Sequence, residues 1–272
     1  MLWQYLAILI DQSMSRFISL ILCFSSLLCF SQNQGIHINA HAHNDYEHVH
    51  PLMDALQNGF ISIEADVHLQ NGKLLVSHDR PDKNSSTLEK LYLAPLDSLL
   101  KVNSGRVYKG SKTMFYLMID IKTEAKTTYH AIKQAAANYP ALLCTSSENC
   151  AVQIFLSGNR PVSLIAMEGY SGLAVDGHPN DVGKGFYSEL MPVISDNYKN
   201  WSSWNGKTKP TSKDLQRIKE LAQRVHAEGK KLRLWAIPDN ELAWAALLDA
   251  GVDFINTDHL AELNTFLIKR GL

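Results

Sequence analysis

Eight short β-rich runs recur between residues 36 and 259, and helical patterns separate most of them. The runs are IHINAH (36–41), ISIEADV (61–67), MFYLMIDIK (114–122), VQIFLSG (152–158), LIAMEG (164–169), LMPVISDN (190–197), KLRLWAIP (231–238) and DFINTDH (253–259). Helical spacing is read over 49–58, 88–102, 124–139, 211–228, 239–250 and 260–270. Gly229 and Gly251 stand where two of these helices should stop, and Pro238-Asp239-Asn240 supplies a start signal. Strand alternating with helix implies a parallel sheet with right-handed crossovers. Eight such units in one chain imply a single α/β domain over 36–272, a (βα)8 TIM barrel. The rival is a doubly wound open sheet. No GxGxxG or GxxxxGK[ST] loop follows any run, which weakens that rival. The connection between 158 and 164 is too short for a full helix, and GYSGLAVDGHPNDVG (169–183) reads as a long loop at the barrel mouth.

The second run continues directly into LQNGKLLVSHD. Asn71-Gly72 is a strong two-residue turn signal, so a β-hairpin is expected after strand 2, ending at His78-Asp79.

Side chains alternate along a strand. In the second run Ile61, Ile63, Ala65 and Val67 share one face, while Ser62, Glu64, Asp66 and His68 share the other. In the third, Asp120 and Lys122 lie opposite Phe115, Leu117, Ile119 and Ile121. In the first, His37, Asn39, His41 and His43 lie opposite Ile36, Ile38 and Ala40. If the apolar faces meet the helices, three strands deliver ionisable groups to one end of the barrel interior. Inward carboxylates are costly unless paired or bound to a cation. Glu64, Asp66 and Asp120 therefore suggest one divalent cation, Mg²⁺ or Ca²⁺. An internal ion-pair network with Lys122 is the competing explanation. The segment NAHAHNDYEHVH (39–50) holds four histidines, and His41, His43 and His78 would rim the same mouth. Histidines beside a hard cation are suited to proton transfer around phosphorus.

Formal net charge is −1 and no basic run exists, so nucleic acid is not an expected partner. Met14-Ser15-Arg16 followed by FISLILCFSSLLCF reads as a secretory signal over 1–31, with Met14 an alternative start. That implies a periplasmic or secreted protein without a stable membrane span in its mature form. Cys144 and Cys150 would then remain, either as a disulfide or as two free thiols.

The stretch AHNDY…PLMDALQNGFISIEADVHLQNGKLLVSHD resembles the start of the phosphatidylinositol-phospholipase-C-like phosphodiesterases, among them the glycerophosphodiester phosphodiesterases and sphingomyelinase D enzymes. LMIDIK, LRLWAIPD and GVDFINTDHL resemble the family's third, seventh and eighth strands, and HAHNDY resembles its altered-inheritance-of-mitochondria branch. The resemblance implies Glu64, Asp66 and Asp120 as metal ligands and His78 as one catalytic histidine. It leaves the other as His41 or His43, and the second alternative brings Asn44 in as a further ligand. The family's common arginine after the first histidine is missing, so Lys122 is the expected phosphate-binding cation. Trp235 is the expected wall for a head group, with Arg233 below it.

The expected function is a metal-dependent phosphodiesterase acting on a glycerophosphodiester or phospholipid head group. Hydrolysis and cyclising lyase chemistry both stay open, as does the oligomeric state. One alternative is an amidohydrolase-like binuclear metallohydrolase, which needs further histidines at later strand ends. The other is a barrel kept as a non-catalytic binding module.

Overall fold

Parallel pairing runs around a closed ring in the computed structural model, which describes residues 35–144 and 150–272. The strands are β1 (His37–Ala42), β2 (Phe60–Gln70), β3 (Lys73–Val76), β4 (Phe115–Ile121), β5 (Val152–Gly158), β6 (Leu173–Gly177), β7 (Val193–Asn197), β8 (Lys231–Trp235) and β9 (Phe254–Thr257). All but β3 pair in parallel, and β1 pairs with both β2 and β9, which closes an eight-stranded TIM barrel. The compact unit spans Ile36–Leu272. The signal segment read over 1–31 lies outside the described residues.

The helices are α1 (Met53–Gln57), α2 (Ala94–Val102), α3 (Ala125–Ala137), α4 (Val162–Glu168), α5 (Ser212–His226), α6 (Glu241–Asp249) and α7 (Leu260–Arg270). Their starts are chemically marked. Asn240 accepts from the Ala243 amide at the head of α6, and Thr211 and Asp214 form a reciprocal capping box on α5. No helix among the described residues is long and apolar enough to cross a membrane.

The expected hairpin is present. β3 folds back antiparallel on the end of β2, and both turn residues sit at positive φ, Asn71 at 51° and Gly72 at 75°. That pair of angles is what a hairpin turn matching the strand twist requires.

Two expectations fail. Residues 164–169 are not a strand but most of α4. Pro161 precedes the helix and Gly169, at φ 76°, ends it. Ile165 is buried while Met167 is 85% exposed, a one-sided burial that an inner strand of a barrel would not show. The fifth barrel strand is β6, within the stretch read as a loop. His37 also departs from its expected inward face. The pairing of β1 with β2 is irregular between His37 and His41, so alternation is not preserved across that step. His37 is instead buried against α7, 2.7 Å from Asn264 Oδ1 and 2.8 Å from the Leu272 carbonyl oxygen. Beyond the irregularity, Ala40 and Ala42 join the outer core as expected.

Inside the barrel the layers differ in chemistry. Tyr116, Met118, Phe155, Ala174, Val193 and Phe254 form an apolar plug, with the rings of Tyr116 and Phe254 edge-to-face at 5.1 Å. Cys144 and Cys150 are bridged ahead of β5, which resolves that pair in favour of the disulfide.

Candidate active site at the C-terminal mouth of the barrel

Two residues beyond the plug on β4, β5, β6, β7 and β9, the interior turns polar. His41, Glu64 with Asp66, Asp120, Ser157, Asp176, Ser195, Arg233 and Asn256 come from the eight barrel strands in turn, and all but Asp120 are buried. Above them opens a cleft of about 450 Å³ at the end where TIM-barrel sites are built.

Glu64, Asp66 and Asp120 converge there, one oxygen of each lying within 4.8 Å of the others. Their register follows from the pairing of β2 with β4, which sets Asp66 directly beside Asp120. Arg233 Nη2 donates to Glu64 Oε2 at 2.7 Å. Burial, the largest single influence, works against ionisation of Glu64, but the Arg233 guanidinium and the His41 and His43 contacts together hold the carboxyl down at about 2. Lys122 Nζ reaches Asp66 Oδ2 at 3.0 Å and Asp120 Oδ2 at 3.1 Å. The competing ion-pair network is therefore real, yet it is incomplete. Asp66 Oδ1 and Asp120 Oδ1 are buried with no hydrogen-bond partner. Burial, and then the neighbouring Glu64 charge, push the Asp66 carboxyl upward. Two buried, unpaired carboxylate oxygens beside a third carboxylate fit the donor set of a hard divalent cation.

Gly158 makes room for this arrangement. It ends β5 at φ 64°, and a Cβ there would stand 1.8 Å from Asp120 Oδ1 and 2.6 Å from the Ile121 carbonyl oxygen. Gly158→Ala is expected to displace the Asp120 carboxylate and to cost about 1–3 kcal/mol of stability, because the backbone conformation is also strained for alanine. Calorimetric titration with Mg²⁺ or Ca²⁺, together with the melting temperature, tests this. Wild-type cation affinity in the variant would remove Asp120 from the site.

The histidines separate by burial. His41 is fully buried; its Nδ1 shares a 2.7 Å hydrogen bond with Ser62 Oγ and its Nε2 lies 3.5 Å from Glu64 Oε2. Burial and then the Arg233 charge hold its pKa down at about 4, so the ring is neutral. His43 lines the cleft, and its Nδ1 donates to Asp258 Oδ1 at 2.8 Å. His78 lines the cleft too, at the end of the hairpin, and its Nδ1 donates to Asp66 Oδ2 at 3.0 Å. Asn44 is buried at the rim in a left-handed conformation, φ 44°. His50 is exposed beside Asp54, and His48 does not line the cleft.

The rest of the histidine-rich segment has a structural duty. Asp45 is fully buried and accepts from the Leu52 amide at 2.6 Å and the Tyr92 hydroxyl at 2.9 Å, pinning the loop after β1. Burial raises its pKa to about 6. The two buried groups oppose each other in acid. His41 is depressed from 6.5, so its contribution is present above pH 6.5 and lost as pH falls toward 4. Asp45 is raised from 3.8, so its contribution grows as pH falls through 6 toward 3.8. Each is worth on the order of 3 kcal/mol. Asp45→Asn removes the second, and its melting temperature should fall more steeply than wild type between pH 6.5 and 4.5. Parallel curves would count against this balance.

Across the cleft, Asp176 Oδ2 and Oδ1 accept from the Ser157 and Ser195 hydroxyls, both at 2.8 Å. Asp176 lies at the end of β6 and His178 follows that strand, so a histidine does stand after a later barrel strand. His178 Nδ1 donates to the Ser195 carbonyl at 3.1 Å. It does not join a ligand cluster; among the described residues the one cluster found is Glu64, Asp66 and Asp120. The binuclear alternative gains nothing from it. Trp235 stands at the mouth, 41% exposed, with Arg233 buried below, as the strand alternation implies. The next residue, Ala236, takes φ 55°, which turns the chain sharply after the indole. Sequence reasoning missed Asp258, Arg160, Gly158 and the Ser157–Asp176–Ser195 triplet. Pro161 and Gly169 were the signals that would have moved the fifth strand to 173–177 and exposed Asp176.

Residues 31–168 match the AIM6-like phosphodiesterase domain, a span holding β1, β2, the hairpin and β4 with all three carboxylates. The chain belongs to this family. Residues 231–261 separately match the glycerophosphoryl diester phosphodiesterase family, over the segment carrying Arg233, Trp235 and Asp258. Altered inheritance of mitochondria protein 6 of Eremothecium gossypii is 28% identical over 266 residues, covering 83% of this chain and 68% of that one. The homolog from Arthroderma benhamiae is 28% identical over 258 residues, covering 81% of each. A solved glycerophosphodiester phosphodiesterase from Parabacteroides distasonis shares the fold, with a TM-score of 0.55 at 16% identity over 87% of this chain and 99% of that one.

Proposed function

We propose that this AIM6-like domain is a metal-dependent phosphodiesterase that hydrolyses a glycerophosphodiester or phospholipid head-group diester. The observation that carries the reading is the matched state of two imidazoles in one cleft. His43 and His78 each give Nδ1–H to a carboxylate, Asp258 and Asp66, so each keeps Nε2 as the nitrogen that exchanges protons. One takes the proton of the attacking hydroxyl, and the other returns a proton to the leaving alkoxide. His41, neutral and tied to Ser62, orients Glu64 from below rather than reaching substrate.

Glu64, Asp66 and Asp120 would hold one divalent cation, Mg²⁺ or Ca²⁺, with Asn44 at the rim as a further oxygen donor. When bound, that cation supplies charge neutralisation at the phosphoryl oxygens. Lys122, half-buried beside Asp66 and Asp120, adds a fixed positive charge on the same side, so a diester anion enters a site already biased toward it. Trp235 offers a flat wall to the organic arm.

The test is a screen of phosphodiesters with Mg²⁺, Ca²⁺ or chelator present, the products being resolved into open and cyclic phosphates. Cation-dependent release of an open monoester is expected. A cyclic phosphate as end product would make the enzyme a lyase, and binding without turnover under every condition would leave the barrel as a binding module.

A further inference from the structure

Arg160 lines the same cleft but has no part in the chemistry above. It follows β5, and its guanidinium is fixed by two main-chain oxygens. Nε donates to the Asp176 carbonyl, and Nη1 donates to the Gly158 carbonyl at 3.1 Å. Neither acceptor carries a formal charge. Among the described residues no carboxylate lies within 4.0 Å of an Arg160 nitrogen, although both other cations of the cleft, Lys122 and Arg233, are paired with carboxylates. The Asp176 carboxylate is 1% exposed, and its two oxygens already accept from Ser157 and Ser195. This side of the cleft therefore presents a rigid guanidinium that no carboxylate touches, with the buried Asp176 as its electrostatic neighbour. Beside it stand His178, held through Nδ1 to the Ser195 carbonyl, and the exposed face of Trp235.

A guanidinium held in plane by carbonyls, with no carboxylate in contact, suits a planar or tetrahedral oxyanion, which it can meet with two parallel donors. An ammonium head group finds no free carboxylate on this side, and one tryptophan does not make a cage. We propose that Arg160, with His178 beside it, recognises a second anionic group, a phosphate monoester or a carboxylate, carried by one arm of the diester. The inference rests on the phosphodiesterase reading only for the other end of the substrate. It makes Arg160 a specificity-determining residue rather than a catalytic one.

Two matched pairs of probes separate the sources of the anion: glycerophosphoinositol against its 4-phosphate, and glycerophosphoglycerol against glycerophosphoglycerate. Wild type is expected to favour the charged member of at least one pair about tenfold or more in kcat/KM, carried by KM. The pair that shows it identifies the oxyanion. Arg160→Met should bring that preference down about tenfold, and Arg160→Lys should restore part of it. No preference in either pair, or an equal loss on both members in Arg160→Met, overturns the proposal, the latter by making Arg160 a prop for Gly158 and Asp176. Calorimetric titration with inositol 4-phosphate and with glycerate reads the site without turnover. About tenfold weaker binding of one of them to Arg160→Met is expected, at an unchanged melting temperature. If that holds while no diester is cleaved, the hydrolase reading falls and the anion site stands. Equal binding of both ligands to wild type and variant sinks the anion site whatever the turnover.

Discussion

His43→Ala should lower turnover on a cleaved diester by about 10²–10⁴-fold, with the melting temperature nearly unchanged. His43 sits on the rim, one-third exposed, and carries little of the core. His78→Ala should match it, since that ring is more exposed still. His41→Ala should behave differently. It removes a fully buried ring and strands Ser62 Oγ, so about 1–3 kcal/mol of stability goes with it, and activity falls in step with the folded fraction. His50→Ala should be silent. The informative measurement is turnover and melting temperature side by side for all four variants. Full activity in His43→Ala would move the acid–base role elsewhere and leave the AHNDY segment as a structural element.

Asp120→Asn and Glu64→Gln should both abolish cation-dependent turnover, yet only one should damage the fold. Asp120 carries an orphaned oxygen and shares Lys122 with Asp66, so neutralising it leaves that lysine paired. Glu64 is the carboxylate against buried Arg233, which is 3% exposed. Taking away its charge leaves a guanidinium inside the barrel with only neutral amide oxygens, at position 64 and on Asn256, to accept from it, at a cost of about 3 kcal/mol. Chemical denaturation of the two variants decides between them. Equal stabilities would show that Arg233 is balanced by something other than Glu64. Cation-dependent activity in Asp120→Asn would remove that residue from the ligand set.

The barrel was legible because seven of its eight strands announce themselves by apolar alternation, and because β2 and β4 put charges where only branched apolar residues normally pack. The remaining one, LAVDG, is five residues long and ends in Asp176-Gly177, so its apolar signal is brief. The neighbouring LIAMEG has a longer apolar content, and propensity alone cannot tell a buried strand from a short helix. The cluster of Glu64, Asp66 and Asp120 could be read from strand parity. The choice between His41 and His43 could not. Both share the parity of β1, and only depth in the barrel distinguishes a ring sealed under the floor from a ring at the rim. Asp258 and Arg160 escaped for a related reason. Each acts through a neighbour remote in sequence, Asp258 on His43 across 215 positions and Arg160 on the carbonyl of a strand that had been read as a loop.

The ring of polar side chains around the upper barrel carries a further implication. Most of these groups project from strands, at heights set by backbone pairing, and the long connections after β6 and β7 contribute few of them. The carboxylate cluster and Arg233 are thereby housed in a rigid hoop that tolerates little change, while the loops around it can drift in length and composition. A descendant of this chain could exchange residues 178–192 or 198–211 for foreign segments and inherit the same reaction with a new clientele. It could not shift the register of a single barrel strand by one residue without turning an inward charge out toward the helices.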